Sequence, residues 1–287
     1  MTDFDQRRAH AQLFTEMHQD GCLLLPNAWD AGSARLLTAA GFTALATTSA
    51  GIAFSHGHPD HDFFADGEPG GRLDRAVMLR QVGEIVDAVR VPVSADLEEG
   101  YGESPETVAE TVTLALAAGA AGGNIEDFTG DQAKPLYDPQ LAVERIAAAR
   151  AVADPADNPF VLVGRSDALL TGRPVAEAID RANAYLAAGA DCAFVPGASD
   201  AATIALLVRE LTGPLNVVMG LTGSTLTVAE LADLGVRRVT VGGSLIRAMY
   251  GHLRRAADEL RASGTFTYAQ EQIPHTELND VFRPSVS

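Results

Sequence analysis

Residues 92–127 read PVSADLEEGYGESPETVAETVTLALAAGAAGGNIED. Pro92–Asp96 is a short apolar run that ends on an acid, followed by a turn holding Gly100 and Gly102. Pro105–Ala118 has helical spacing of its apolar residues and closes on Ala-Gly-Ala at 118–120. A second strand, Gly123–Glu126, again ends on acids. This is one strand–helix–strand unit, and its strands are continuous apolar runs, as expected of strands covered on both faces. The same pattern extends in both directions. Strands are expected at Cys22–Pro26, Thr43–Thr47, Phe160–Gly164, Cys192–Val195, Leu215–Met219 and Arg238–Val241. Helices are expected at Ser33–Ala40, Leu73–Val89, Leu141–Val152, Val175–Ala188, Ala201–Leu211, Val228–Leu234 and Leu245–Ala262. Gly41, Gly119, Gly189 and Gly235 each follow a helix and precede a strand, the position where a left-handed C′ residue is needed. Eight such units imply an α/β chain folded as a (β/α)8 TIM-type barrel. No G-x-G-x-x-G follows the first strand, which disfavours an open doubly wound sheet.

The expected division is an N-terminal helix in 1–21, the barrel in 22–262 and a C-terminal tail in 263–287. The stretch Ser49–Gly71 is too long for an ordinary connection and reads as a loop over the site. The tail is polar and contains proline, so it is expected to pack on a neighbouring subunit or stay loose.

Of the 287 residues 47% are apolar, enough for a large core. Lys and Arg number 21 against 38 Asp and Glu, a formal charge of −17. Such a surface repels phosphate backbones and anionic lipid, which argues against nucleic-acid and membrane partners. No apolar run approaches the ~20 residues of a spanning helix, and the first residues lack the apolar core of a secretory signal. The two cysteines, Cys22 and Cys192, read as buried thiols. The expected compartment is the cytosol. The one lysine is Lys134, so any Schiff-base chemistry would have to use it.

In a barrel the site forms at the C-terminal ends of the strands. The residues there are Asn27, Trp29 and Asp30; Thr47, Thr48 and Ser49; Asp96, Glu98, Glu99 and Tyr101; Glu126 and Asp127; Arg165, Ser166 and Asp167; and Gly242–Ser244. Several carboxylates around one concave mouth repel each other, and a hard divalent cation with oxygen ligands, Mg²⁺ above all, is the simplest compensation. Arg165 faces them from the fifth strand and suits a two-point carboxylate contact. The competing reading is that Asp96 and Glu126 cap helices or pair with arginines, and that Arg165 is a structural salt-bridge partner.

The motifs LPNAWD (25–30), TTSAGI (47–52), GHPD (57–60), PVSADLEEGYG (92–102), NIED (124–127) and GAD (189–191) together resemble the isocitrate lyase / phosphoenolpyruvate mutase superfamily over about residues 23–250. The resemblance implies an α/β barrel, often with its last helix exchanged between subunits of a dimer that assembles to a homotetramer. It implies Mg²⁺ or Mn²⁺, and cleavage or formation of a C–C or P–C bond in a small 2-oxo or 2-hydroxy carboxylic acid through an enolate-like intermediate. By the same resemblance Asp96 is the principal metal ligand, Glu98 stands where most members have Asp, and Glu126 is the outer ligand. Arg165 holds the substrate carboxylate, Thr47, Thr48 and Ser49 form the substrate-binding turn, and Asp60 is a site aspartate. Tyr101 or a metal-bound water is the candidate proton carrier.

The departures separate subfamilies. The loop FTGDQAKPLY (128–137) lacks the cysteine that isocitrate and methylisocitrate lyases use as acid. It also lacks the Lys-x-Asn-Ser of phosphoenolpyruvate mutases and phosphonopyruvate hydrolases, and Pro196 stands where the mutase has histidine. The expectation is therefore a Mg²⁺-dependent carbon–carbon lyase of the branch near the oxaloacetate decarboxylases and 2-oxo acid lyases. A P–C bond enzyme and a barrel that binds a 2-oxo acid without turnover are the alternatives. A second motif, His56-x-His58-x-Asp60-His61, matches the dinuclear hydrolase signature, but between His61 and His252 the chain has no further histidine to complete such a site.

Overall fold

The computed structural model describes residues 3–60, 73–153, 159–221 and 223–283. Its strands are β1 (Leu23–Leu25), β2 (Asn27–Ala28), β3 (Leu45–Thr47), β4 (Val93–Asp96), β5 (Gly122–Glu126), β6 (Val161–Arg165), β7 (Cys192–Phe194), β8 (Leu215–Val218) and β9 (Arg238–Thr240). All pair in parallel in the order β1-β9-β8-β7-β6-β5-β4-β3-β2. The expected first strand is thus one stave broken at Pro26: β1 pairs with β9 and β2 with β3, so the two halves close the ring. Proline has no N–H to give to either neighbour, but its carbonyl accepts from Ala46 N–H at 3.0 Å. Asn27 supplies the missing bonds. Its Oδ1 accepts from Val241 and Gly242 N–H at 2.8 and 2.9 Å, and its Nδ2 donates to Thr47 O at 2.6 Å.

The helices are α1 (Asp3–Glu16), α2 (Ala31–Ala39), α3 (Ser49–Ser55), α4 (Arg75–Ala88), α5 (Pro105–Ala117), α6 (Pro139–Val152), α7 (Val175–Ala187), α8 (Ala201–Glu210), α9 (Val228–Asp233), α10 (Ser244–Ser263) and α11 (His275–Phe282). Gly41, Gly119, Gly189 and Gly235 take positive φ between 89° and 107° at the helix ends where the sequence places them. Outward-facing strand residues such as Ala95, Ile125, Leu162 and Val239 bury against the helices. Leu25, Ala46, Val161, Val163 and Cys192 pack together with Phe14, which is fully buried and seats α1 against the barrel strands. Gly122 is required for this fit, because a Cβ there would lie 2.6 Å from Val161 O and 3.0 Å from the Phe14 ring.

Three expectations change. Residues 49–55, read as loop, form α3; the rest of that loop from 61 to 72 lies outside the described residues. The tail is not loose, since α11 lies on α2, with Arg35 Nη1 donating to Phe282 O at 2.9 Å. Asp30 is the N-cap of α2, in a reciprocal capping box with Ser33, and Trp29 is core, so neither belongs to the site. Both cysteines are free thiols, and burial pushes Cys192 up to about 12. Among the described residues no helix is long and apolar enough to cross a membrane.

Candidate active site

A cavity of about 230 Å³ opens at the C-terminal ends of the strands, as the barrel rule requires. Its charged lining residues are Asp60, Asp96, Arg165 and Arg238. Thr47, Thr48 and Ser49 line it from the β3–α3 turn, and Leu170, Phe194, Pro196 and Leu221 give it an apolar wall.

Asp96 is held from three directions. Its backbone N–H donates to Thr47 Oγ1 at 2.9 Å, Ser49 N–H donates to its Oδ2 at 2.9 Å, and Asn124 Nδ2 donates to its Oδ1 at 2.9 Å. Thr48 caps α3, accepting from Gly51 N–H at 3.2 Å. Gly51 has to be glycine in this turn, since a Cβ would fall 2.4 Å from Thr48 Cγ2 and 3.0 Å from Trp29 Cβ. The substrate-binding turn expected at 47–49 therefore fixes the Asp96 carboxylate.

Arg165 projects between two buried carboxylates. Nη1 lies 2.6 Å from Glu126 Oε2, and Nε donates to Asp167 Oδ1 at 2.9 Å. Burial raises Glu126 well above the carboxylate range against the pull of Arg165, and the charges of Asp167, Asp96 and Glu98 add to the rise. Burial likewise raises Asp167. Arg165 itself is raised by Asp167 and Glu126, which outweigh its own desolvation. Behind this triad, Asp127 points away from the barrel axis. It accepts from Asp167 N–H at 2.8 Å, Ser166 Oγ at 3.1 Å, Tyr185 Oη at 2.6 Å and Arg181 Nη1 at 3.3 Å. Asp127 is thus a structural anchor beneath Arg165.

The β4 turn is strained. Glu98 and Tyr101, neither of them glycine, take φ of 50° and 65°, and Gly100 takes 86°. Tyr101 Oη donates to Glu98 Oε1 at 2.6 Å. The buried guanidinium of Arg145 donates to the carbonyls of Glu99, Gly102 and Glu103 and stacks on Tyr137. Tyr101 lines a separate depression with Leu73, Asp74 and Thr107, away from the Asp96 cavity.

Of the three carboxylates expected around a cation, Asp96 lines the cavity, Glu126 sits on Arg165 and Glu98 on Tyr101. Among the described residues no three His, Cys, Asp or Glu side chains form a ready-made metal cage. Mg²⁺ does not require one, because it usually keeps several waters and binds through one or two carboxylates plus substrate oxygens. The electrostatics suit it: the charges of Asp167, Asp96 and Glu98 all bear on Glu126, with Arg165 as the guanidinium beside them. The donor set therefore fits a hard divalent cation held mainly by Asp96.

The histidine motif does not form a metal site among the described residues. His56 and His58 are exposed, and His61 lies outside those residues. The loop after β5 folds into a small hairpin, with Thr129 N–H donating to Pro135 O at 3.0 Å and Lys134 exposed at its tip.

The family model described as phosphoenolpyruvate phosphomutase matches residues 14–261. The chain belongs to that family. It is also similar, at 36% identity over 269 residues, to an uncharacterized protein of Mycobacterium tuberculosis, covering 92% of this chain and 94% of that one. A crystal structure from Burkholderia cenocepacia, provisionally assigned as a lyase/mutase, shares 48% identity with a TM-score of 0.91 over 97% of each chain. The structure of 2,3-dimethylmalate lyase, a member of the PEP mutase/isocitrate lyase superfamily, shares 28% identity with a TM-score of 0.81 over 95% of this chain and 94% of that one. The solved relatives share the barrel fold. Members of this superfamily are lyases and mutases.

Site residues missed in the sequence are Asn124, Asn216 and Arg238. Asn124 lies two residues before Glu126 on β5, so strand alternation is the signal that finds it; Asn216 and Arg238 share a strand with no candidate named from the sequence, and no such signal marks them.

Proposed function

We propose that this chain is a Mg²⁺- or Mn²⁺-dependent lyase that cleaves or forms a C–C bond in a small 2-oxo or 2-hydroxy carboxylic acid through an enolate-type intermediate. The observation that carries this reading is the three-way clamp on Asp96 at the cavity wall. Asp96 would hold the cation, with Glu98 and Glu126 as the surrounding carboxylates. The cation, when bound, supplies positive charge to the substrate oxygens that become negative. Arg165 offers its remaining N–H groups to a substrate carboxylate, and Asp60 lies on the same cavity. Ser49 N–H and Asn124 Nδ2 keep the Asp96 carboxylate in one orientation, and Thr47 Oγ1 holds its backbone N–H. The apolar wall of Leu170, Phe194 and Pro196 excludes water from the opposite side.

A P–C bond reaction is the second reading, and the family description favours it. Against it stand Pro196, at the place of the mutase histidine, and Lys134, exposed on its hairpin. The apolar positions Leu253 (61% exposed), Leu260 and Met249 on α10 support a homo-oligomer, a dimer or tetramer joined through this helix. The test is a screen of 2-oxo and 2-hydroxy acids, with a phosphonate 2-oxo acid beside them, for Mg²⁺-dependent turnover. Asp96→Ala is expected to lose that turnover by roughly 10²- to 10³-fold without unfolding the barrel. Undiminished activity in the variant would overturn the assignment, and turnover of the phosphonate alone would select the second reading.

A further inference from the structure

Arg238 opens β9, toward the end of the barrel opposite the Asp96 mouth, yet it lines the same cavity and is 2% exposed. Its neighbours are neutral. Nη2 donates to Ser94 Oγ at 2.9 Å, Nη1 lies 3.4 Å from His18 Nε2, and the guanidinium stands 5.7 Å from the Phe14 ring centre. His18 Nδ1 lies 2.7 Å from Phe14 O, so that nitrogen carries the proton and Nε2 faces Arg238 with its lone pair. Burial, aided by the charge of Arg238, pulls His18 down to about 4 and keeps the ring neutral. Arg238 Nε is buried with no hydrogen-bond partner among the described residues, and no Asp or Glu there pairs with the guanidinium. Burial pulls Arg238 down to about 10, eased only by the Cys192 thiol.

The other buried arginines are compensated. Arg165 has Glu126 and Asp167, Arg181 has Asp127 and Glu177, and Arg145 has three carbonyls. A buried guanidinium without a counter-charge is unfavourable unless an anion reaches it. Arg165 is the obvious carboxylate clamp, but Glu126 and Asp167 already occupy its Nη1 and Nε, whereas the Arg238 guanidinium has no carboxylate partner among the described residues. Beside it, Asn216 is the register partner of Arg238 on β8 and also lines the cavity. Asn216 Nδ2 donates to Thr240 Oγ1 at 3.3 Å, which leaves its Oδ1 buried without a partner among the described residues. Turned over, the amide accepts from the Thr240 hydroxyl and presents Nδ2 to the cavity as a donor.

We propose that Arg238 and Asn216 form an anion subsite on the floor of the barrel, which takes the second carboxylate of a dicarboxylic substrate whose reacting end lies at Asp96. The inference rests on the reading of the Asp96 cavity as an acid-binding site, and it narrows the substrate class to diacids.

The test uses the full chain with Mg²⁺ and calorimetric titration of two matched probes, malate and 2-hydroxybutyrate, which differ by a carboxylate in place of a methyl group. Wild type is expected to prefer malate by roughly 10- to 100-fold, the effect of one charge-assisted contact. Arg238→Gln is expected to bring that ratio to within about threefold of one by weakening malate alone, and Arg238→Lys to retain part of it. Asp96→Ala is expected to weaken both probes alike. Equal wild-type affinities overturn the subsite without recourse to any variant, as does a preference that survives Arg238→Gln. If both probes bind and Asp96→Ala weakens both, the cavity reading stands even when the subsite fails. If neither probe binds wild type, both fall together.

Discussion

Removing the Asp127 carboxylate is expected to cost this protein a large part of its stability. Asp127 is 2% exposed and accepts from Tyr185 Oη, Ser166 Oγ, Asp167 N–H and the Arg181 guanidinium. Tyr185 is held protonated by its burial and by the Asp127 charge, so it is an obligate donor in this network. Asp127→Ala leaves all four donors without this acceptor, and Arg181, 7% exposed, loses a carboxylate while keeping Glu177, the Tyr137 carbonyl and Tyr185. Single hydrogen bonds to a charged group contribute about 1.5–3 kcal/mol, but four bonds on one carboxylate do not add. Breaking a buried ion pair from one side costs about 3–5 kcal/mol, and that is the better guide here. The expected loss is about 4 kcal/mol, against a total stability of roughly 5–15 kcal/mol. Asp127→Asn keeps the shape but sets an amide N–H₂ among donors, so it is expected to recover less than half of the loss. The assay is urea unfolding followed by far-UV circular dichroism, with the midpoint lowered and the slope unchanged. A shift worth less than about 1 kcal/mol would refute the claim that this carboxylate anchors the Arg165 segment.

Arg145→Met is expected to cost about 3 kcal/mol, because three loop carbonyls at residues 99–103 lose their donor, and to weaken Mg²⁺ binding by releasing the strained β4 turn. A urea midpoint equal to wild type would count against that role. His18 gives a pH dependence of definite sign. Its folded value near 4 lies below the ordinary 6.5, so the unfolded chain binds the proton more readily, and stability is intact above about pH 6.5 and falls as pH drops toward 4. The shift corresponds to at most about 3 kcal/mol. The stability difference between wild type and His18→Gln, measured at pH 7.5 and again at pH 4.5, should change by about 2–3 kcal/mol; a difference that does not move with pH would sink the assignment.

Much of the barrel was legible because its strands are unbroken apolar runs and its helices stop at glycines that only a left-handed turn explains. Seven of the eight expected strands appear within two residues at either end, and Pro26 divides the eighth. That division escapes a reading by periodicity, since proline at a strand end and proline inside a split stave look alike until the partners are known. SAGIAFS reads as loop because small residues carry little helical pattern; what makes α3 is Thr48 capping it and Trp29 packed against Gly51. The acids at the strand ends were visible, but their partners were not. Glu126 and Asp127 are adjacent, and the alternation of a strand turns one toward the cavity and the other toward α7. Arg238 was passed over because barrel chemistry is sought at the C-terminal ends, whereas its side chain enters from the start of β9.

The stitch at Asn27 ties the hoop to its contents. One amide bridges the two edges of the sheet at the stave that Pro26 interrupts, and the same residue forms part of the chamber wall. Whatever fills that chamber leans on the fastening that keeps the ring shut. A tenant that touches Asn27 therefore touches the closure itself.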